Sequence, residues 1–307
     1  MELTFLGTGA GLPSHERNVT AIVLNLLAES NQCWLFDCGE ATQHQFLKTT
    51  LKPRKITKIF ITHLHGDHLF GLPGLLSSRS FQGGEEGIVI YGPKGIRTFV
   101  ETSLQVSQAR LSYPVSYVEL TEAGFVFEDE QFIVDCAVLD HGVTSFGYRI
   151  KEKDSLGSLQ TDKLKAMGIS PGPIYQQIKD SPVTTLEDGT VIHREDVIGA
   201  PKTGKTVVIF GDTRYVVHHQ RFIEEADALV HEATFDETKT DLAANYYHST
   251  AAQAAQLAKD SHIGKLFLTH ISARYQGDRV KQLQEEARHI FPNSYVVSDL
   301  ETYSITS

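Results

Sequence analysis

Short apolar runs, each closed by a polar or small residue, recur along the whole chain and predict strands. In the first part they are Leu3-Thr4-Phe5-Leu6, Ala21 to Leu27, Trp34 to Asp37, Lys58 to Thr62 and Ile88 to Tyr91. A middle group follows at Val115 to Leu120, Phe125 to Phe127, Phe132 to Leu139 and Phe146 to Ile150. The last third adds Val207 to Phe210, Ala228 to Val230, Lys265 to Leu268 and Tyr295 to Val297. Helical spacing covers Glu40 to Leu51, Leu69 to Ser80, Ile96 to Ala109 and Asp278 to Ile290. Another helix starts at Ser249 or Thr250 and runs to Lys259, with Thr250 and Gln253 spaced as a capping box. A polar turn is expected at Glu29-Ser30-Asn31. Strands in both halves with helices between them predict an α/β protein: an αββα four-layer sandwich of two sheets covered by helices.

One stretch breaks this rhythm. Between about residues 151 and 205 the apolar runs thin out, and Pro171-Gly172-Pro173, Ser181-Pro182 and Ala200-Pro201 appear. So long a segment with so little core material does not belong inside a compact domain. It is expected to be a projecting insertion within a single domain spanning 1–307. A small hairpin from Val183 to Ile192 would turn across Asp188-Gly189. The plainer alternative is a loose surface loop.

Composition narrows the classes. With 41% hydrophobic and 21% charged residues over 307 positions, the chain is an ordinary globular one with a sizeable core. No apolar run is long enough to span a bilayer, and Met1-Glu2-Leu3 starts no signal peptide. Three scattered cysteines (Cys33, Cys38, Cys136) provide neither a disulfide framework nor a Cys-rich zinc site, so the expected location is cytoplasmic. A formal charge of -10 argues against a globally basic nucleic-acid binder. Local patches and bound divalent metals still allow a phosphate ligand. Lys48 to Lys58 is one such basic stretch, either a solvated helix end or a phosphate-facing surface. The run Gly7-Thr8-Gly9-Ala10-Gly11 lacks the G-x-G-x-x-G spacing and is followed by Pro13, so it reads as a turn of small residues.

The chemistry concentrates where strands end. Ile59-Phe60-Ile61-Thr62 delivers His63-Leu64-His65-Gly66-Asp67-His68, four metal-ligand types in six residues. Further strand ends deliver His141, Asp212, His231-Glu232 and His270. A single histidine in such a place is usually structural; several converging beside a four-ligand cluster make a site. Phosphodiester hydrolysis at neutral pH needs a strong nucleophile and neutralised phosphate charge. Two metal ions supply both by deprotonating a shared water and binding the non-bridging oxygens. His63 and His65, two apart in extended chain, suit one ion, while Asp67 and His68 suit a second. Asp212 can bridge them, leaving His141 and His270 as one further ligand apiece. Imidazole and carboxylate without thiolate fit two zinc ions per subunit, and manganese or iron would accept the same donors.

The H-x-H-x-D-H motif followed by a distal His, Asp and His resembles the metallo-β-lactamase superfamily. More narrowly, the chain is similar to the ribonuclease Z family, which trims the 3′ trailer from precursor tRNA. Pro13 to Asn18 resembles that family's Pro-x-Lys-x-Arg-Asn loop, and Phe36-Asp37-Cys38-Gly39-Glu40-Ala41-Thr42-Gln43 its first motif. His231-Glu232-Ala233-Thr234 with His248 matches its His-Glu-Ala-Thr element. The Gly-Pro-bearing insertion, here with Pro171, Gly172 and Pro173, sits where the family carries an exosite arm that grips tRNA. The resemblance implies that His63, His65 and His141 hold one zinc, that Asp67, His68 and His270 hold the other, and that Asp212 bridges them. It makes Asp67 the general base and gives His248, held by Glu232, the departing 3′ oxygen. It also implies a 3′ hydroxyl on the tRNA and a 5′ phosphate on the trailer. A homodimer follows from the same source, with one subunit's arm serving the other's site. Arg17 and Asn18 belong to the loop implicated in sensing the tRNA 3′ end. His15 stands where the family has Lys, which leaves the response to a CCA end open.

Two rival classes remain on the sequence. One is another hydrolase on the same fold, acting on a thioester, a lactam or a small phosphodiester. The other is an RNA-binding protein with structural metals, although such sites are usually closed and Cys-rich.

Overall fold

The computed structural model describes residues 1–305. Two seven-stranded sheets carry the main body. The first runs in the order Thr302–Ser304, Glu2–Gly7, Ala21–Leu26, Gln32–Phe36, Ile56–Phe60, Ile88–Pro93, Val115–Leu120. The second runs Ser294–Val296, Lys265–Thr269, Ala228–Glu232, Thr206–Phe210, Ser145–Glu152, Phe132–Leu139, Gly124–Glu128.

Both faces of the central strands are covered, which is why those strands read as continuous apolar runs. On the first sheet Leu6, Val23, Leu35, Ile59 and Ile90 pack with Leu72, Leu75 and Leu76 of the helix Leu72–Phe81 and Val100 of Ile96–Val106. The alternate side chains point the other way. Phe5 meets Phe267 of the second sheet at 5.8 Å between ring centroids, and Phe60 meets Tyr148 at 5.1 Å. The outer face of the second sheet contributes Val208, Leu229, Leu266 and Leu268. They pack with five buried residues of the helix Ala251–Asp260: Ala251, Ala254, Ala255, Leu257 and Ala258. The result is helix, sheet, sheet, helix, the metallo-β-lactamase layering.

Direction matters more than layering for the site. Gln32–Phe36, Ile56–Phe60 and Ile88–Pro93 are parallel neighbours, as are Thr206–Phe210, Ala228–Glu232 and Lys265–Thr269. Parallel strands present their carboxyl ends together, so Asp37, His63, Asp212, Glu232 and His270 emerge on one edge.

Some expected elements are shorter or divided. The helix expected over Glu40 to Leu51 is only Thr42–Leu47. The Thr49 hydroxyl bonds back to the Phe46 carbonyl at 2.9 Å, competing with helix propagation just where β-branched residues begin. The helix expected from Leu69 starts at Leu72, after a separate turn Gly66–Leu69. The turn at Glu29-Ser30-Asn31 is a short helix, Leu27–Ser30, closed by Asn31 at φ 57°. The edge strand Thr302–Ser304, with its polar sequence, carries no apolar signal and was not expected.

Residues Lys151–Gly204, with Glu130–Phe132, form a second compact unit. It contains helices Thr161–Ala166, Pro173–Asp180 and Arg194–Val197 and the hairpin Val183–Thr185 with Val191–His193. Gly189 takes φ 88° in that turn, a left-handed conformation that favours glycine. The apparent lack of core material is corrected here. Leu164, Ile169, Ile178, Ile192 and Val197 make a small buried cluster from apolar residues spread singly along the segment.

Candidate metal centre

Two buried carboxylates organise the site. Asp37 directly follows the strand Gln32–Phe36 and adopts φ 56°, a left-handed conformation that costs an Asp less than most residues. Its carboxylate accepts from the Thr62 amide (2.7 Å), the Thr62 hydroxyl (2.8 Å) and His68 Nδ1 (2.7 Å). The Thr62 hydroxyl in turn accepts from His63 Nδ1 at 3.0 Å. Glu232 repeats the arrangement on the second sheet. It accepts from the Thr234 hydroxyl (2.5 Å) and His248 Nδ1 (2.7 Å), while Thr234 Oγ1 accepts from His270 Nδ1 at 2.9 Å. His141 Nδ1 donates to the Tyr247 carbonyl at 2.9 Å.

With these Nδ1 hydrogens committed, the Nε2 atoms of His63, His68, His141 and His270 are lone-pair acceptors. They converge. His65 Nδ1 lies 3.1 Å from His63 Nε2 and 3.2 Å from His141 Nε2. Asp212 Oδ2 lies 3.2 Å from His270 Nε2, 3.5 Å from His68 Nε2 and 3.6 Å from His63 Nε2. Asp67 Oδ2 is 3.2 Å from His270 Nε2 and 3.5 Å from His68 Nε2. Ligand atoms thus gather as His63, His65, His141 and Asp212 on one side and Asp67, His68 and His270 on the other, and a third grouping, Asp212, His248 and His270, overlaps the second.

This donor set fits divalent metal ions. Acceptor atoms pointing at one another repel unless a cation lies between them, and buried His68 Nε2 has no hydrogen-bond partner. Charge makes the same point. Burial opposes a proton on His68, yet Asp212 and Asp37 raise its pKa well above the ordinary histidine value: the buried carboxylates call for positive charge at this point, which a metal ion would supply in place of the proton. Burial holds His63 well below that value, in the neutral form that ligates. Burial would also raise the Asp67 pKa, but the adjacent His270 and His68 imidazoles pull it well below the usual carboxylate range.

Two close approaches set this geometry. A Cβ on Gly39 would come 2.3 Å from the Asp67 carbonyl oxygen, and one on Gly211 would come 2.5 Å from Thr62 Cβ. Any side chain there would push the ligand loops apart.

His248 stands beside the cluster, its ring centroid 5.3 Å from those of both His141 and His270. Burial disfavours its charged form, but Glu232 more than compensates and the pKa rises to about 9. Buried Glu232 is kept ionised by the same contact. A cavity of about 340 Å³ opens over the cluster, lined by His65, Asp67, Asp212, His248 and His270 and also by Phe235, Leu242, Tyr246 and Arg274.

Arg17 and Asn18 are engaged elsewhere. The Arg17 guanidinium is buried, donating to Thr8 Oγ1 (2.6 Å) and the Val297 carbonyl (2.5 Å). Asn18 donates from its amide to Asp299 (2.7 Å) and from its side chain to the Glu40 carbonyl (2.8 Å). Both hold the loop in shape, while His15 is exposed on it. Pro171, Gly172 and Pro173 are exposed in the second unit, Pro173 opening the helix Pro173–Asp180. The sequence reading gave no role to Asp37, Thr234 or the Tyr247 carbonyl. Asp37 carried a usable signal, since it ends a strand as His63 and Asp212 do.

Paired sheets with a histidine–carboxylate cluster at their carboxyl ends define a metal-dependent hydrolase of the metallo-β-lactamase fold. Similar solved structures agree: the metallo-β-lactamase fold protein YhfI from Bacillus subtilis covers 98% of each chain at a TM-score of 0.67 and 19% identity. The human tRNase Z short form matches at a TM-score of 0.72 and 32% identity, over 100% of both chains. A family model described as anti-Pycsar protein Apyc1 matches residues 1–117. Ribonuclease Z of Oceanobacillus iheyensis is 58% identical over 306 residues, covering 99% of this chain and 100% of its own. That of Anoxybacillus flavithermus is 58% identical over 305 residues, covering 99% and 97%. The chain belongs to the ribonuclease Z family.

Proposed function

We propose that the chain is a zinc-dependent endoribonuclease that removes the 3′ trailer from precursor tRNA in the cytoplasm. It would leave a 3′ hydroxyl on the tRNA and a 5′ phosphate on the trailer. The observation that carries this is the Glu232–His248 pair beside a seven-residue ligand cluster. It adds a proton donor, which metal binding alone does not need.

His63, His65 and His141 would hold one ion and Asp67, His68 and His270 the other, with Asp212 shared. When bound, such ions acidify water and neutralise charge on the phosphate. The protein's own groups do the rest. Asp67, whose Oδ2 accepts from the Gly11 amide at 2.8 Å, orients the attacking water and accepts its proton. Glu232 holds Nδ1 of His248, so only Nε2 can reach the departing 3′ oxygen and protonate it. The second unit would grip the tRNA body through its exposed Pro171-Gly172-Pro173 segment. A homodimer belongs to the same reading: Leu47, Phe70 and Phe81 are 71%, 64% and 91% exposed, and a second copy would cover them.

Asp67→Ala is expected to slow turnover about 10³-fold while precursor tRNA still binds. Cleavage near the wild-type rate would remove Asp67 from the base role. Deleting Leu156 to Pro201 should weaken precursor tRNA processing about 10²-fold, the scale of a lost second attachment point. Hydrolysis of a small phosphodiester should change little, and equal losses on both substrates would rule out an exosite.

A further inference from the structure

The cavity over the metal centre has one wall that the reaction does not use. Phe235, Leu242 and Tyr246 line it beside the ligands, with exposed Arg274 among them. Tyr246 caps the helix Thr240–Asn245, its amide donating to the Leu242 carbonyl at 3.1 Å, and both residues line the cavity. Phe235 already has a neighbour on its ring, the Arg274 guanidinium at 5.1 Å. Tyr246 does not. Among the described residues its ring pairs with no other ring or cation, and it is 63% exposed while facing the cavity. An aromatic ring left open at the mouth of a reaction site is a platform for a flat ligand.

Its position says which ligand. His248, the proton donor, sits on the same wall, with its ring centroid 6.2 Å from that of Phe235. The oxygen it protonates belongs to the nucleoside on the 5′ side of the scissile phosphate. We infer that Tyr246 stacks on the base of that last tRNA nucleoside, with Leu242 and Phe235 closing the pocket's apolar floor. Arg274 is exposed at the rim, its Nε on the Ser272 hydroxyl at 3.1 Å, and its charge faces the neighbouring backbone phosphate. The pocket takes an unpaired base of any identity, because stacking uses a face that every base has. This rests on the ribonuclease reading above and gives it a substrate subsite.

A cycle of two changes tests it. Precursor tRNA is prepared intact and with an abasic site at the nucleotide whose 3′ oxygen departs. Single-turnover cleavage is then measured for wild type, Tyr246→Ala and Tyr246→Phe. On intact precursor Tyr246→Ala is expected to be about tenfold slower, in the range of one lost base–aromatic stack, and Tyr246→Phe close to wild type. On the abasic precursor the gap between wild type and Tyr246→Ala should shrink to less than about twofold, since the missing base has already removed the stack. An equal tenfold loss on both precursors, or no loss on either, overturns the assignment. A Tyr246→Phe variant as slow as Tyr246→Ala also overturns it, because a hydroxyl contact would then be the cause. Wild-type protein that leaves intact precursor uncut would fail the ribonuclease reading itself, a separate result.

Discussion

The two halves of the metal centre share one construction and end in different chemistry. On the first sheet Asp37 orients His68 directly and His63 through the Thr62 hydroxyl. On the second, Glu232 orients His248 directly and His270 through the Thr234 hydroxyl. Each is a buried carboxylate that fixes two imidazoles by their Nδ1 atoms. In the first half both imidazoles turn their Nε2 into the ligand cluster. In the second, His270 does so within hydrogen-bond reach of both Asp67 and Asp212, while His248 stands further out, its Nδ1 committed to Glu232 and 4.0 Å from Asp212. One scaffold therefore makes a pair of ligands or a ligand with a proton donor, depending on where the directly held histidine points. Burial explains why carboxylates are used: a buried imidazole held by a neutral group would tolerate a proton poorly, whereas Glu232 sustains one on His248.

The strongest way to break this comparison is His248→Ala. It should slow cleavage about 10³-fold with the metal content of purified protein unchanged. A fall in bound metal would make His248 a ligand and erase the difference between the halves.

The carboxylates sharpen the contrast with a smaller effect. Asp37→Asn removes the carboxylate charge that holds His68 directly and His63 through Thr62, and is expected to weaken metal affinity about 10- to 100-fold. Glu232→Gln should act mainly on the rate of the chemical step at saturating metal, with a smaller change in metal affinity through His270. Metal titrations of the two variants side by side decide it, and matching losses of affinity would mean that both carboxylates serve the metals alone.

Much of this was legible in the sequence because metal ligands are strong chemical types at strand ends. The apolar run before His63 and those before Asp212 and His270 predicted both the strands and the edge where the ligands meet. The parallel pairing that brings these strands into register could not be read locally, since it depends on contacts between distant segments. Thr62 and Thr234 were hidden for a related reason: a threonine just past a strand end is ordinary until its neighbours in space are known. Arg17 shows a different limit. Its motif position suggested contact with substrate, whereas its guanidinium joins Thr8, nine residues away, to the Val297 carbonyl, 280 residues away. The second unit looked poor in core because Leu164, Ile178 and Ile192 stand singly, and only the fold brings them together.

The most direct measurement of the central claim follows a 3′-extended precursor tRNA incubated with the purified protein, with and without a chelator, and maps the new 3′ end. The account predicts one cut at the base of the trailer, leaving a 3′ hydroxyl, lost in chelator and restored by added zinc. Cleavage that persists undiminished in chelator, or a precursor left whole with metal present, would contradict it.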